Sequence, residues 1–388
     1  MKYKIGVIFG GESVEHEISI ISANQAINAL DPDKYEVIPI YVSKNRQLYF
    51  SPLLSDLNNY KDLDTLIKKS REIVLVKERN KVKVRSAGGL TNKTLAEIDI
   101  LVPVVHGTNS EDGTFQGYSE MLGLPYTGSG IQAASVGQDK VFMRQILQQE
   151  GLPLVDWQWF YLQEYENDGE VIIKDIIKNL GFPVIVKPAN LGSSIGVATA
   201  DNKKELKEAI EFAGGFDEKI VVEKMVSELL EVNCAVLGDH TACIASQVEE
   251  VAKSEEFLSY QDKYEGGSKS KGMVNTARII PARLSEADTL KVKELAKAAF
   301  IALDCSGVVR VDFLYDRKQQ EFYVNEINSI PGSLAFYLWQ PTGISFGELM
   351  DRLIQIALDR YRRKAHLTYS YSSNVLKNYK GSKGVKKI

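Results

Sequence analysis

The first forty residues restrict the fold more than any other segment. An apolar run, Tyr3 to Phe9, ends in two glycines. An amphipathic stretch follows from about Glu17 to Leu30, and then a second apolar run, Tyr35 to Tyr41. Strand, helix and strand in that order place two parallel strands in one sheet. The chain is therefore expected to be an α/β protein whose N-terminal domain is built on a parallel sheet. Residues 98–105 (IDILVPVV) read as a further buried strand, followed by a Gly-rich loop and a helix near Thr114–Leu122. The GSG at 128–130 marks a domain edge.

A second unit opens with a helix over Asp139–Glu150 and reaches FPVIVKPANLGSSIGVATA, a strand, a Gly-rich loop and a strand. A helix (Lys203–Phe212) and the strand KIVVEKMV complete it. Residues 160–172 are acidic and polar and read as a surface loop. A third unit runs from about Leu229 to Lys364, starting with the strands LEVNCAVLG and TACIASQVEEV and a polar loop, Ser254–Lys271. The helix Ser285–Leu303, the hairpin SGVVRVDFLYD–RKQQ–EFYVNEINSIPG and a helix from near Ser345 follow. No internal repeat is present. The expected division is 1–128, 129–224, 225–364 and a basic tail, 365–388.

Composition narrows the function. Of 388 residues, 44% are hydrophobic and 25% charged, which excludes a disordered or collagen-like chain. No apolar run reaches the length that spans a bilayer, so no membrane partner is expected. From Tyr361 onward there are eight Lys/Arg and no acid, so the first 360 residues hold 39 basic and 51 acidic side chains. A body with a net charge of −12 is a poor nucleic-acid binder, and the basic end reads as a solvated terminus. Three cysteines in or beside apolar runs, with no CxxC, fit buried thiols in a reducing compartment. With no signal-peptide pattern before the first strand, a cytoplasmic location is expected.

Four segments could carry chemistry. In the hairpin, alternation puts Arg310 and Asp312 on one face and Glu326 and Asn328 on one face of the return strand. Pairing about residue 319 sets Asp312 opposite Glu326 and Arg310 opposite Asn328. Two carboxylates and an amide oxygen suit magnesium, which takes oxygen ligands together with substrate phosphates. A surface cluster of cross-strand ion pairs is the alternative, but both strands are too apolar for an exposed hairpin. In PANLGSSIGV, two glycines and Ser193 and Ser194 let backbone N–H groups approach a phosphate, with Lys187 as a nearby cation. It lacks the GxxxxGK[ST] spacing and could equally be a Gly-rich turn. GGESVEHEIS brackets a helix start with Glu15, Glu17 and Ser19, groups that also serve as ordinary helix-start charges and caps. HGTNSEDGTFQG carries His106, Glu111 and Asp112 at the end of a buried strand, where α/β proteins bind ligands.

The sequence resembles a known family at these points. GGESVEHEIS, HGTNSEDGTFQG, PYTGSG, QDK, VIVKPANLGSSIGV, EEFLSYQDKY, IPARLS, VVRVDF and NEINSIPG occur in the order seen in D-alanine–D-alanine ligases of the ATP-grasp superfamily. The resemblance spans residues 3 to about 360. It implies a three-domain ATP-grasp fold, with ATP between the second and third domains. It implies two D-alanines joined through an acylphosphate for peptidoglycan synthesis. It implies ATP and two magnesium ions, with manganese as a substitute, and a homodimer by analogy. By the same resemblance, Asp312, Glu326 and Asn328 match the metal ligands. Lys140, Lys187, Ser194 and Lys263 match phosphate contacts, Glu223 a residue near the adenine and Glu231 a ribose partner, set one residue further along than the family spacing. Glu15 matches the carboxylate that holds the first substrate's ammonium. Arg310 and the Gly332 backbone match oxyanion donors. Ser193, Tyr264 and Glu15 match a hydrogen-bonded set over the site, and His106 a substrate-side histidine.

Two places depart from the family pattern. Ser110 stands where glycine is usual, and SLAFYLWQ follows Pro331-Gly332 where a Thr- and Ser-rich stretch is usual, with Tyr337 at a serine position. The donor and nucleotide sites match and the acceptor subsite differs. Two other functions remain: a ligase joining D-alanine to another acceptor such as D-serine, and a catalytically silent nucleotide-binding protein. Four polar groups retained on apolar strands (Arg310, Asp312, Glu326, Asn328) argue against silence.

Overall fold

The computed structural model describes residues 2–88, 93–251, 278–370, 372, 373 and 377. The chain begins as expected: β1 (Tyr3–Gly10), α1 (His16–Ala29) and β2 (Tyr35–Val42), with β1 and β2 parallel. It continues through β3 (Leu48–Phe50), α2 (Leu63–Lys69), β4 (Arg71–Glu78), β5 (Lys81–Ser86), β6 (Thr94–Ile98) and β7 (Ile100–Pro103). These form one seven-stranded sheet in the order β6-β5-β4-β3-β2-β1-β7. Only the pairs of β1 with β2 and with β7 are parallel; the others are antiparallel. The N-terminal sheet is thus mixed rather than purely parallel. Short turns join β2 to β3 and β4 to β5, too short for a crossover, while a longer connection holding α2 joins β3 to its antiparallel neighbour β4. The strand expected over 98–105 is also shorter. It breaks at Asp99, whose carboxylate accepts the Lys4 N–H at 2.9 Å.

α3 (Thr114–Leu122), α4 (Ile131–Gln138) and α5 (Lys140–Gln149) lead into the second sheet. This contains β8 (Trp157–Tyr161), β9 (Val184–Pro188), β10 (Ala198–Ala200) and β11 (Lys219–Lys224), with α6 (Leu162–Asn179) and α7 (Lys203–Gly214) against it. Residues 160–172, expected as a loop, lie at the end of β8 and in α6. Their acidic character belongs to the exposed first half of an amphipathic helix. Its apolar stripe runs on through Ile172, Ile173 and Ile176.

The third sheet has the order β14-β13-β12-β15-β16. Its strands are β12 (Leu229–Asp239), β13 (Ala242–Val251), β14 (Arg278–Ile279), β15 (Gly307–Asp316) and β16 (Glu321–Asn328), with α8 (Glu286–Ala302) across one face. The chain closes with α9 (Phe336–Trp339) and α10 (Phe346–Ala365). Three of the eight basic residues counted from Tyr361 onward, Arg362, Arg363 and Lys364, lie in the last turn of α10. There they complement the helix dipole, and Arg363 pairs with Asp239 at 2.5 Å.

The cores are unequal. A large one joins α1, β1 and β7 to residues 334–357, while the second sheet packs a separate core with α6 and α7. Cys234 and Cys305 are buried and Cys243 is half-buried, none in a disulfide.

Candidate active site

The hairpin of β15 and β16 pairs Arg310 with Asn328 and Asp312 with Glu326, the expected register. It is not a regular ladder, because the next pair is Phe313 with Val324. Asn325 is therefore an extra, bulged residue. Counting from the tip without it, strict alternation would set Asn325 beside Asp312 and turn Glu326 toward the core. The bulge returns Glu326 and Asn328 to the Asp312 face and sends Ile327 into the core. Arg310 Nε and Nη2 donate to the two Asp312 oxygens at 2.6 and 2.7 Å, and Asn328 Nδ2 donates to Oδ2 at 3.0 Å. Burial pushes the Asp312 carboxyl up, with Arg310 opposing it. The polar row continues across the sheet, since Asn233 on β12 stands opposite Asp312 and Glu249 on β13 opposite Asn233. Glu231 lies one pleat period from Asn233 on this face, opposite Leu314, and is exposed.

Facing the hairpin are the cations of the second unit. Lys187, on β9, donates to Glu223 Oε2 at 2.9 Å and to Asn325 Oδ1 at 3.3 Å. Arg144, fully buried on α5, donates to Glu223 Oε1 at 2.6 Å and to the Asn325 carbonyl at 3.2 Å. Burial pushes the Glu223 carboxyl up, but Arg144 and Lys187 outweigh it and hold it below the usual range. Lys140 Nζ donates to the Leu191 carbonyl at 2.6 Å and stands 4.0 Å from Glu326. Desolvation lowers its pKa. Lys140 thus faces the Glu326 carboxylate and Lys187 the Asn325 amide across the space between the second and third sheets.

The Gly-rich loop crosses to the N-terminal unit. Ser193 and Ser194 adopt left-handed backbone, φ 54° and 58°, and the Ser193 hydroxyl donates to Glu15, just ahead of α1. On the other side, His106 meets the turn that follows β16. Its Nδ1 contacts the Ile330 carbonyl at 2.8 Å, so the proton sits on Nδ1. Nε2 then accepts from the Ser22 hydroxyl at 3.3 Å, and Ser22 Oγ in turn accepts the Ser333 N–H at 2.9 Å. Both His106 nitrogens are engaged by protein groups, and desolvation lowers its pKa. Glu111 staples the same turn, accepting the N–H groups of Gly107 and Ile330, each at 2.9 Å. Desolvation and Glu15 push its carboxyl up to about 8. Ser110, at the usual glycine position, is buried and donates to the Val105 carbonyl at 2.7 Å.

Gly332 opens this turn, with free space where a side chain would project. Ser333, Leu334 and Ala335 follow, all left-handed with φ between 51° and 53°. They deliver Tyr337 to the carboxylate face. Burial pushes its phenol up, while Arg310 and Arg278 pull the other way. The Arg278 guanidinium stacks 3.9 Å from the Tyr337 ring centroid, and its Nε is 3.3 Å from Glu249. Lys263, Tyr264 and the polar loop Ser254–Lys271 lie outside the described residues.

Sequence reasoning did not single out Arg144, Asn325, Asn233, Glu249 or Arg278. Arg144 stands four residues after Lys140 on one helix, a spacing that shares a face. Asn325 had a signal too, since the apolar positions 322, 324 and 327 break the period of two. Among the described residues, no three His, Cys, Asp or Glu side chains cluster as a metal site. Asp312, Glu326 and Asn328 still fit magnesium, a hard cation that completes its shell with water and phosphate oxygens.

Hard oxygen ligands, converging lysines and a Gly-rich loop define an enzyme that handles a phosphorylated nucleotide. Residues 4–129 match the family model for the D-ala D-ala ligase N-terminus, and residues 146–355 that for its C-terminus. The chain belongs to the D-alanine–D-alanine ligase family, which uses ATP and magnesium and takes D-alanine as substrate. It is 42% identical over 374 residues to a D-alanine–D-alanine ligase of Thermosipho melanesiensis, covering 96% of this chain and 98% of that one. Among solved structures it resembles the D-alanine–D-alanine ligase of Coxiella burnetii, with a TM-score of 0.77, 29% identity and coverage of 94% and 97%. It also resembles the VanG D-Ala:D-Ser ligase of Enterococcus faecalis, with a TM-score of 0.78, 29% identity and coverage of 92% and 100%. No helix among the described residues is long and apolar enough to cross a membrane.

Proposed function

We propose that the protein ligates two D-alanines at the cost of ATP, giving D-alanyl-D-alanine, ADP and phosphate for peptidoglycan synthesis in the cytoplasm. The observation that carries this reading is the bulged hairpin, which gathers Asp312, Glu326 and Asn328 on one face with Lys140 beside Glu326 and Lys187 beside Asn325. The carboxylate of the first D-alanine attacks the γ-phosphate, and ADP leaves. The amine of the second D-alanine attacks the acyl carbon of that acylphosphate, and phosphate leaves. Glu15, held by Ser193, binds the ammonium of the first D-alanine. Lys140, Lys187 and Ser194 hold the nucleotide phosphates together with Lys263, and Glu223 and Glu231 hold the nucleoside. Arg310 and the Gly332 N–H stabilise the oxyanion, and Tyr264 covers the site with Ser193. His106 fixes the turn carrying Gly332. Asp312, Glu326 and Asn328 would hold two magnesium ions, or manganese, whose charge would offset that of the phosphates. The domains run 1–128, 129–224 and 225–364, the tail 365–388, and the enzyme works as a homodimer.

The test is incubation with ATP, magnesium and D-alanine, with the product identified by mass. Equimolar ADP and D-alanyl-D-alanine is the expected result; ATP left intact under these conditions would overturn the reading. A second reading, ligation of D-alanine to D-serine, is favoured by Tyr337 at the acceptor side. Equal mixtures of D-alanine and D-serine distinguish the two by product mass.

A further inference from the structure

Along the polar face of the third sheet the groups are ordered. The nucleotide-facing lysines lie beside Glu326 on β16, at one edge. Arg310 and Asp312 follow on β15, then Asn233 on β12, Glu249 on β13 and Arg278 on β14, the opposite edge. An amine that attacks an acylphosphate formed over β15 must approach from the side the nucleotide does not occupy, toward β13 and β14. The acceptor is an amino acid, so its carboxylate needs a cation there. Arg310 turns one edge, Nε and Nη2, to Asp312, and its remaining donors serve the oxyanion, so none is left for the acceptor's carboxylate. Arg278 is held differently. Its plane is fixed by stacking on Tyr337, its Nε is 3.3 Å from the buried Glu249, and its side chain is 35% exposed. Among the described residues no acceptor is recorded for its two terminal nitrogens. A guanidinium oriented by an aromatic face and one carboxylate presents its outer edge for two parallel hydrogen bonds to a carboxylate.

We infer that Arg278, oriented by Tyr337 and Glu249, binds the carboxylate of the acceptor amino acid and sets the enzyme's demand for an acceptor that bears one. This rests on the ligase reading above. Tyr337 then acts through Arg278 as a positioning residue, which explains how an aromatic side chain serves at this place. A tyrosine there need not bond the substrate, because its ring supplies a platform.

The experiment compares wild type, Arg278→Gln, Arg278→Lys and Tyr337→Leu, with D-alanine and D-alaninamide as competing acceptors. Initial rates over a range of D-alanine yield separate constants for the first and second substrate. In Arg278→Gln the second-substrate KM should rise about 10- to 100-fold, as for loss of a charge-assisted pair. The first-substrate and ATP constants should hold, and the preference for D-alanine over its amide should collapse. Arg278→Lys, which keeps the charge but not the fork, should recover part of the preference. Tyr337→Leu should weaken it while leaving Arg278 in place. Unchanged second-substrate KM and unchanged preference in Arg278→Gln would overturn the inference, as would a uniform fall in kcat with preference intact. Wild type that makes no peptide at all would instead overturn the ligase reading.

Discussion

Ser193→Ala isolates the contact that ties the Gly-rich loop to the N-terminal unit. The substitution removes the hydroxyl that donates to Glu15. A hydrogen bond to a charged group contributes about 1.5–3 kcal/mol, and each ~1.4 kcal/mol is tenfold in rate. If the contact forms in the reacting complex, kcat/KM for D-alanine should fall about 10- to 100-fold. The position carries a second, opposite effect. Ser193 sits at φ 54°, and a left-handed non-glycine residue costs about 1–2 kcal/mol. Ser193→Gly relieves that strain but enlarges the unfolded ensemble, which takes back about 0.4–1 kcal/mol. Glycine and alanine should therefore share the loss of activity, while glycine is the more stable by about 1 kcal/mol in urea unfolding. Steady-state ADP release measures the first quantity. A cycle with Glu15→Gln should show that the two losses are not additive. An alanine variant within about twofold of wild type, or additive losses in the cycle, would refute the reasoning.

Asp312→Ala and Glu326→Ala should each abolish ADP release and raise the magnesium needed for whatever turnover remains, since each removes an oxygen ligand; a magnesium titration with wild-type midpoint would count against the assignment. Arg144→Met removes a cation from the buried Glu223, and breaking such a pair costs about 3–5 kcal/mol; denaturant unfolding should show it even without nucleotide. Glu111 gives a pH test: burial and the neighbouring Glu15 raise its folded carboxyl from the ordinary 4.5 to about 8. Between those values the folded state holds a proton the unfolded state has lost, so its contribution is present below about 4.5 and fades as pH rises toward 8. Urea unfolding of wild type and Glu111→Gln from pH 5 to 8 should therefore show wild type losing stability faster with rising pH, and parallel curves would contradict the assignment.

Local patterns were readable where one element buries one face. The βαβ start and the helices over 139–150 and 285–303 follow from periodicity, whereas the assumed hairpin register holds at Asp312 and Glu326 because of the bulge at Asn325. The helix at 162–179 escaped because its polar half comes first and its apolar stripe begins late. The antiparallel strands between residues 42 and 98 escaped because β3 is only three residues long, β4 exposes half of its residues and β5 and β6 are mostly half-buried, so few positions mark a buried face. In the site, Asp312 and Glu326 were legible as partners on strands. Glu249 and Arg278 were not, because their meeting with Tyr337 depends on four strands and a left-handed turn. No pattern within one segment encodes a pairing of residues 249, 278 and 337.

The division of the cores bears on how ligands enter. The second sheet shares little apolar surface with the rest: Trp157, Ala189 and Val221 pack with Val141 of α5. Its other links described above are polar, Ser193 to Glu15 and Lys187 to Asn325. Water can replace polar links at small net cost, whereas parting the core that joins α1 to α10 would expose many buried side chains. The seam between the second sheet and α5 is therefore where opening the structure would expose the least apolar surface. If the central sheet moves against the other two units, Lys187 and Ser194 travel with it, whereas Lys140 stays with α5, whose Met143 and Leu147 pack in the core of the third sheet that carries the metal ligands.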